Sequence, residues 1–261
     1  MKPLVRAVLY GDAEPGLDDP AEVFHEASKL HPALAFRQAA GMARLGASEE
    51  LQRAAAHAQR RNRQLAFRPL PRPDRPACSL WCALDERRSR RDFGDGVLDL
   101  AALTAVLDAA YGVRHDTHRT VPSAGALYPL ELYVAARTVE AIAAATYRYD
   151  PQLHGLELHA HGDPWSVLSA ACPLEGLVDD GSAAILIRAV FGRTRFKYGQ
   201  RGYRFALLEA GHAMQNAVLA ATALRVPALP LGGYYDAAFD ELVGADGVEE
   251  SVVYALVLGG R

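Results

Sequence analysis

Residues 196–204 have the sequence Phe-Lys-Tyr-Gly-Gln-Arg-Gly-Tyr-Arg, and they hold the most informative cation of the chain. Of the 28 basic residues only three are lysines, and Lys197 alone lies beyond the first thirty residues. Arginine stays charged at any biological pH, whereas lysine can release a proton, so a lone lysine here indicates a chemical task. Tyr198 follows directly, and a compact charge beside a phenol lowers the pKa of that phenol. The pair suits acid–base chemistry; the alternative is a surface lysine beside a core tyrosine.

A long, mostly apolar helix is predicted directly after this segment, over residues 203–224. Apolar residues at helical spacing predict another helix over residues 98–111. A hairpin is predicted over residues 147–160, with its turn at 151–155. Because helices and strands interleave without a regular βαβ order, we expect an α+β fold. Further strands are predicted over residues 130–136, 183–191 and 252–258.

The N-terminal part has a different character. Residues 20–66 predict helices rich in alanine, glutamine and arginine, the first with a proline in its first turn. Residues 67–76 hold four prolines, which disfavour regular structure and favour an extended linker. We therefore expect a short helical N-terminal extension with its linker over residues 1–77, and a main domain over residues 78–261.

Composition argues against several classes of function. A net charge of −3 does not indicate a general nucleic-acid-binding surface. Three cysteines are too few for a disulfide framework, and no second pair completes a zinc site with Cys78 and Cys82. The first residues lack the apolar core of a signal peptide, and no run approaches the roughly twenty apolar residues of a membrane span. We expect a cytoplasmic protein without a metal site, bound to neither nucleic acid nor membrane.

Residues 87–93 have the sequence Arg-Arg-Ser-Arg-Arg-Asp-Phe, which brings several guanidinium groups and a hydroxyl together. Forked guanidinium donors match the oxygens of a phosphate, so the segment indicates a phosphate clamp. The alternative is a solvated basic turn.

Two loops are rich in small residues. Residues 122–129 have the sequence Pro-Ser-Ala-Gly-Ala-Leu-Tyr-Pro, and residues 230–236 have the sequence Pro-Leu-Gly-Gly-Tyr-Tyr-Asp. Small residues let a backbone approach a flat ligand closely. The first loop could equally be a plain turn that enters the strand at Leu130. The second lacks the GxGxxG form and the following helix of a dinucleotide site, which excludes a Rossmann motif.

Further polar residues have structural explanations. Glu209, His212 and Asn216 share one face of the long helix, where buried hydrogen bonding at a helix or subunit contact explains them better than a metal. His159 and His161 share a strand face and could bind a metal, but a half-exposed strand explains them more simply. Loops are predicted to hold His115, His118 and His154.

These motifs together resemble one known family. Arg-x-Ser-x-Arg-x-Phe, Pro-Ser-Ala-Gly-Ala-Leu-Tyr-Pro, Lys-Tyr-Gly-x-Arg-x-Tyr-Arg, Leu-Glu-Ala-Gly-His-x-x-Gln-Asn and Gly-Gly-Tyr follow in this order. Over residues 79–261 they resemble the SagB-type (ThcOx-like) branch of the nitroreductase flavoproteins. The resemblance implies a nitroreductase-like α+β fold with a mixed, mainly antiparallel sheet flanked by helices. It also implies an intertwined homodimer with one FMN at each subunit interface.

The resemblance assigns part of the chain to the FMN phosphate and the pyrimidine edge. Arg87, Arg88 and Ser89 would hold the phosphate. Arg91 would lie near the pyrimidine edge of the flavin, where a cation stabilises the reduced anion. Arg261 is similar to a second phosphate contact of the family.

The flavin ring and the chemistry fall to other residues. Gly232 and Gly233 would present backbone N–H groups to the reactive nitrogen of the flavin. Lys197 and Tyr198 match the catalytic Lys-Tyr pair of the azoline dehydrogenases, which agrees with the argument from the lone lysine. The turn that would pack on the cofactor from the partner subunit consists of Ser123, Ala124 and Gly125.

Members of this branch act beside cyclodehydratases in ribosomal peptide natural product biosynthesis, and they oxidise thiazoline and oxazoline rings to thiazoles and oxazoles. The resemblance thus implies a modified precursor peptide as substrate and a cyclodehydratase complex as partner. Tyr198, its pKa lowered by Lys197, is the candidate base, although the two roles could be reversed. Dioxygen is the expected reoxidant of the flavin, because no nicotinamide site is visible.

Three alternatives remain open at the level of sequence. One is an FMN-dependent ene or dehydroamino acid reductase, which works in the opposite direction. Another is a general nitro- or quinone reductase that oxidises NAD(P)H. The third is a non-catalytic partner that binds a cyclodehydratase or a leader peptide through the arginine-rich N-terminal helices.

Overall fold

The computed structural model describes residues 20–29, 47, 48, 50, 65–73, 76–114 and 118–260, and at their centre lies one antiparallel sheet of seven strands. The strands are β1 Phe67–Pro69, β2 Leu130–Ala136, β3 Ala145–Asp150, β4 Gly155–His161, β5 Ala183–Val190, β6 Ala228–Leu231 and β7 Glu250–Leu258. Their order in the sheet is β1-β4-β3-β2-β5-β7-β6.

Helices cover both faces of this sheet, which confirms the α+β class. A 3₁₀ turn at Ala124–Ala126 precedes β2. The described α-helices are α1 Pro20–Ala27, α2 Leu80–Glu86, α3 Leu100–Tyr111, α4 Trp165–Ala170, α5 Gly192–Tyr198, α6 Gln200–Ala223 and α7 Asp236–Val243.

The alternation of side chains along the central strands separates two cores. Leu132 and Val134 of β2 join a cluster with helices α3 and α6, whereas Tyr133 and Ala135 of the same strand join a cluster with α4 and α7. Successive side chains of a strand point to opposite faces, so a strand between two cores is buried on both sides. All seven residues of β2 are buried, including the charged Glu131.

Helix α3 shows how the sequence fixes an element next to the site. The Asp99 side chain accepts the Ala101 N–H at 2.6 Å, so the helix begins at Leu100 rather than at residue 98. Leu103, Val106 and Leu107 are buried completely. The helix packs along α6 and ends at Tyr111, whose side chain is also fully buried.

The predicted strands and the hairpin are confirmed, with ends that agree or move by at most two residues. The linker prediction is wrong for its first three residues, since Phe67–Pro69 pairs with β4 as an edge strand. The Leu158 N–H donates to the Ala66 carbonyl at 2.8 Å, and the Leu70 N–H donates to the His154 carbonyl at 2.9 Å. A proline is tolerated here because an edge position leaves its missing N–H without a ladder partner.

The N-terminal extension is described only in part. Helix α1 confirms the first predicted helix, while most of residues 30–64 lie outside the described residues. The division of the chain at residue 77 stays a prediction. None of the described helices has the length and apolar character that crossing a membrane requires.

Candidate active site

The corner between α5 and α6 carries Lys197 and Tyr198. Helix α5 ends at Tyr198, and the chain turns at Gly199, whose φ of 56° and ψ of −137° suit glycine. The first turn of α6 then passes so close to α5 that a Cβ on Gly202 would lie 2.7 Å from the Arg195 backbone nitrogen. The Thr194 hydroxyl donates to the Gly202 carbonyl at 2.9 Å, which closes the corner from inside.

A buried acid ties the other end of α5 to the sheet. Glu131 of β2 is 3% exposed, and its two carboxylate oxygens accept hydrogen bonds from Arg188 and Arg193. Burial acts to raise the pKa of Glu131, but the charges of Arg193 and Arg188 outweigh it and lower that pKa. Arg193 lies one turn before Lys197, so this ion pair fixes the helix that presents the pair.

Lys197 and Tyr198 converge on the backbone of Gly125. A Cβ built on Gly125 would lie 2.6 Å from the Lys197 Nζ and 2.7 Å from the Tyr198 hydroxyl oxygen. Gly125 also has a φ of +64°, which strains other residues. The structure therefore brings together three residues that the sequence placed in two different motifs.

The pair remains within reach of a ligand. Lys197 and Tyr198 are each half-buried, and the ammonium lies 5.1 Å from the centroid of the Tyr198 ring. The Tyr198 ring packs edge-on against Phe205 of α6, with the ring centroids 5.0 Å apart. The phenol is thus held by packing while its oxygen faces Gly125.

The arginine segment lies along the opposite edge of the sheet from β1. The Arg90 N–H donates to the Ala228 carbonyl of β6 at 2.9 Å. Arg87 is half-buried at the end of α2, whereas Arg88, Ser89 and Arg91 are exposed. Arg88 and Arg90 line a cavity of about 620 Å³. The other residues around it are Glu86, Asp92, Thr222, Arg225, Val226, Pro227 and Ala228.

Two glycine pairs lie close to this edge. Gly232 and Gly233 are exposed directly after β6, and among the described residues no atom lies within 4 Å of a Cβ built on either. Gly259 and Gly260 pass so close to the segment after the arginines that a Cβ on Gly260 would lie 1.9 Å from the Gly96 carbonyl oxygen. Arg261 lies outside the described residues.

One expectation about the Gly232-Gly233 loop is wrong. A helix does follow it, since α7 begins at Asp236 after Tyr235. The segment still lacks the GxGxxG form, so the exclusion of a Rossmann site stands on the glycine pattern.

These donors fit a flavin mononucleotide by their chemistry. Arginines and a serine match a phosphate, and an uncrowded glycine backbone suits the edge of a planar ring. The turn at Gly125 offers a small surface beside Lys197 and Tyr198. Gly125 approaches the pair within one chain; the expectation that Ser123, Ala124 and Gly125 act from a partner subunit stays a prediction.

A buried polar network lies behind that turn. Glu209 of α6 is 2% exposed, and Tyr111 of α3 donates its phenol proton to Glu209 Oε1. Asn216 donates to the Thr120 carbonyl at 3.2 Å. The predicted buried hydrogen bonding on this helix face is confirmed for Glu209, whereas the bonded Asn216 is half-buried and His212 is exposed.

Sequence reasoning missed Arg119 as part of this network. Its guanidinium is 7% exposed and lies over the rings of Tyr111 and Tyr128, at 4.2 and 4.7 Å from their centroids. An arginine in a histidine-containing loop suggests a solvated side chain, and no periodic pattern reveals that a tyrosine on each side of the loop encloses it.

Other chemistry is not indicated by the described residues. Within them no three His, Cys, Asp or Glu side chains gather as a group that could hold a metal ion. Cys78, Cys82 and Cys172 are free thiols.

Comparison with known proteins then decides the family. Residues 84–260 match the nitroreductase family. This chain belongs to the nitroreductase family. Its sequence is 35% identical to the nitroreductase candidate MJ1384 of Methanocaldococcus jannaschii over 172 residues, which are 66% of this chain and 87% of that protein. The family is one of flavin-binding oxidoreductases.

A second relative is named for peptide processing. The chain is 33% identical to the microcin B17-processing protein McbC of Escherichia coli over 123 residues, which are 45% of each protein. The aligned part thus spans less than half the length of that relative.

Solved structures agree with the family assignment. A nitroreductase candidate from Ralstonia eutropha JMP134 is 26% identical and superposes with a TM-score of 0.66, over 77% of this chain and 92% of that one. A chain of the E. coli microcin synthetase McbBCD complex with truncated pro-MccB17 is 23% identical, with a TM-score of 0.59, over 99% and 97%. At that identity the second likeness shows the fold.

Proposed function

We propose that this nitroreductase-family protein is an FMN-dependent dehydrogenase of the SagB type, which oxidises thiazoline or oxazoline rings of a modified peptide. The observation that carries the proposal is the convergence of Lys197 Nζ and Tyr198 OH on Gly125. A reductase that adds hydride to its substrate needs only a proton donor, whereas ring oxidation needs a base. The relative that processes microcin B17 supports a peptide substrate.

FMN would be held at its phosphate by Arg87, Arg88 and Ser89, near its pyrimidine edge by Arg91, and at the reactive nitrogen of the ring by Gly232 and Gly233. When bound, it would supply a two-electron acceptor. Arg261, next to the Gly259-Gly260 pair, would add a second phosphate contact.

The residues of the chain then handle the proton. Oxidation of an azoline to an azole removes two hydrogens, one as hydride and one as a proton from the adjacent acidic carbon. Tyr198 would take that proton as its phenolate, and the Lys197 ammonium beside it would stabilise the phenolate. Packing against Phe205 keeps the phenol oriented, so that its oxygen meets the substrate without rotation.

The reaction is tested directly with purified protein supplied with FMN and a thiazoline-containing peptide in air. We expect a mass loss of two hydrogen atoms from the peptide. An unchanged mass with FMN bound would overturn the proposed reaction, provided that peptides of more than one sequence are tried.

A reductase is the second candidate, and the identity to the nitroreductase candidate MJ1384 favours it. Such an enzyme would oxidise NADPH when offered a nitroarene, a quinone or an activated alkene. Assays under nitrogen with these acceptors, alongside the azoline assay, separate the two directions of the reaction.

The proposed enzyme would work as a homodimer beside a cyclodehydratase. Two helices near the arginine segment expose large apolar side chains, which marks a contact surface. Trp81 of α2 is 74% exposed and Leu208 of α6 is 59% exposed; Leu80, Leu84 and Leu207 share these helices and are exposed too. We expect light scattering to give the mass of a dimer, and Trp81→Glu with Leu208→Glu to give a monomer with less bound FMN. A flavin-loaded monomer of the unaltered chain would contradict the shared pocket.

A further inference from the structure

The turn at Gly125 adopts a backbone that needs support from outside. Three of its residues have positive φ, namely Gly125 at 64°, Ala126 at 53° and Tyr128 at 44°. Alanine and tyrosine rarely adopt this conformation, and such residues persist only where surrounding contacts over-determine them. The Tyr128 N–H donates to the Ser123 hydroxyl oxygen at 2.9 Å, which closes the loop from residue 123 to residue 128.

The support comes from the buried network behind the loop. Tyr111 donates to Glu209, and the Tyr111 oxygen accepts the Leu130 N–H at the start of β2 at 3.3 Å. The Tyr111 ring also meets the Tyr128 ring of the loop edge-on, with the ring centroids 6.3 Å apart. Glu209 thus reaches the loop through Tyr111, which contacts both the loop and the strand that follows.

The same loop forms the surface that the pair faces. Gly125 lies two residues after Ser123, and Lys197 and Tyr198 meet its backbone from the other side. A shift of the loop would change the separation of Gly125 from both polar groups at once. Packed, hydrogen-bonded interiors transmit such shifts because few voids can absorb them.

We propose that Glu209 is a positioning residue for Lys197 and Tyr198, and that its protonation sets how closely the Ser123–Gly125 turn meets them. This inference rests on the proposed function, since it gives the pair a catalytic task. Glu209 is buried and bonded to Tyr111, so it would act on the pair through Tyr111 and the turn.

The burial of Glu209 makes the device sensitive near neutral pH. Burial raises the pKa of Glu209 to about 7, while Ser123, Tyr111 and the charge of Arg119 lower it in part. These are the ionisable and charged groups that face it, from α3, from the turn and from the loop before it. Glu209 Oε2 is buried without a close hydrogen bond, which leaves it as the position for the proton.

The three lysines of the chain give a readout that needs no substrate. Reductive methylation with ¹³C-formaldehyde labels Lys2, Lys29 and Lys197, and lysine-to-arginine variants assign the three signals. In the unaltered protein we expect the Lys197 signal to shift with an inflection near pH 7. In Glu209→Gln, which keeps an oxygen for Tyr111 but cannot ionise, that inflection should vanish. The Lys29 signal, from a side chain paired with Glu26, should be the same in both proteins.

Catalysis supplies the second readout. Glu209→Gln should lower kcat for azoline oxidation about tenfold or more while KM changes little, because the pair is misplaced and substrate binding is not. Asp240→Asn, at a 5% exposed acid of α7 on the other face of the sheet, is the matched control for loss of a buried carboxylate. Asp240→Asn should leave the pH dependence of the Lys197 signal unchanged.

The outcomes separate this inference from the proposed function. The same pH dependence of the Lys197 signal in the unaltered protein and in Glu209→Gln would overturn the positioning role, whatever the activity. The inflection could disappear in Glu209→Gln although the unaltered protein does not oxidise azolines. That result would support the contact through the turn and overturn the proposed reaction. Ser123→Ala tests the same inference if Glu209→Gln does not fold. It keeps the Glu209 carboxyl group, and it should weaken the same inflection of the Lys197 signal.

Discussion

The α5–α6 corner and the arginine segment 87–91 differ in how the chain itself holds them. At the corner, glycines at 199 and 202, the Glu131 ion pairs and the packing of Tyr198 fix the side chains without any ligand. Along the segment, Arg88 and Arg91 are exposed. Groups that act in a chemical step need such preorganisation, whereas groups that bind an anion can be ordered by it.

The sharpest test of the preorganised corner is to remove its functional atoms. Tyr198→Phe and Lys197→Ala should lose azoline oxidation by about a hundredfold to ten-thousandfold while they keep FMN and the fold, because only the proton transfer is removed. Lys197→Arg keeps a charge near the phenol but cannot shuttle a proton, so it should restore activity in part.

Absorbance spectra and turnover assays measure both effects. Tyr235→Phe, at an exposed tyrosine, and Lys29→Ala serve as controls that keep the turnover rate. Oxidation at the unaltered rate by FMN-loaded Tyr198→Phe would make the pair structural and favour the reductase.

The stability of the network behind the corner should depend on pH. The Glu209 pKa rises from an ordinary 4.5 to about 7 on folding, so its contribution to stability is complete below pH 4.5 and is lost as the pH rises to 7. Glutamine does not ionise. The difference in the free energy of unfolding should therefore move in favour of Glu209→Gln by about 2–3 kcal/mol between pH 5 and pH 8. Urea unfolding at both pH values measures it, and a constant difference would argue against a buried ionisable Glu209.

Substitutions in the arginine segment should weaken FMN binding, whereas those at the corner should slow turnover. Arg87→Ala with Arg88→Ala should weaken FMN binding about a hundredfold, because two charge-assisted contacts to a dianion are lost in an exposed setting. The single variants sharpen the comparison, since Arg88 faces the cavity with Arg90 and Arg225 while Arg87 does not line it. Fluorescence titration of the apoprotein with FMN gives the affinities, and full retention by the double variant would refute the phosphate assignment.

The smallest expected effect concerns the surface that the pair faces. Gly125→Ala would place a methyl group within 2.7 Å of both polar groups and force alanine to a φ of +64°. We expect turnover to fall about tenfold, with FMN binding nearly unchanged, because the pair must move aside. Gly192→Ala, at a position where among the described residues a Cβ meets nothing within 4 Å, is the matched control. Equal turnover by both variants would show that the contact at Gly125 is not needed.

Much of the sheet could be predicted from the sequence, because its central strands carry long apolar runs. Residues 130–136 and 183–190 are buried on both faces, and such runs stand out without any partner. The long helix α6 was equally visible from its length. These elements owe their form to local pattern and burial together.

Some short elements could not be predicted from the sequence, because their hydrophobic pattern is incomplete. Helix α5 has seven residues, of which Thr194 alone is buried, so it shows no apolar periodicity. Strand β1 is hidden by its proline, and its three residues pair with a strand almost ninety positions later. Contacts of that separation leave no trace in a local window.

The candidate site was predictable residue by residue but not as an arrangement. The scarcity of lysine and the adjacent tyrosine are enough to predict Lys197 and Tyr198 as candidate acid–base residues. Their meeting with Gly125 depends on a positive φ and on the corner at Gly199, which only the folded chain specifies. The enclosure of Arg119 by Tyr111 and Tyr128 likewise joins a helix, a loop and a strand entry.

The two edges of the sheet have a consequence for aggregation. Strand β1 is only three residues long and ends in Pro69. Strand β6 contains Pro230, and the Arg90 N–H of the neighbouring segment donates to the Ala228 carbonyl of β6. Short edge strands, prolines and covering segments prevent the edge-to-edge pairing from which fibrils grow. Chains of this protein should therefore associate through helix surfaces such as those of α2 and α6, and resist joining sheet to sheet even when concentrated.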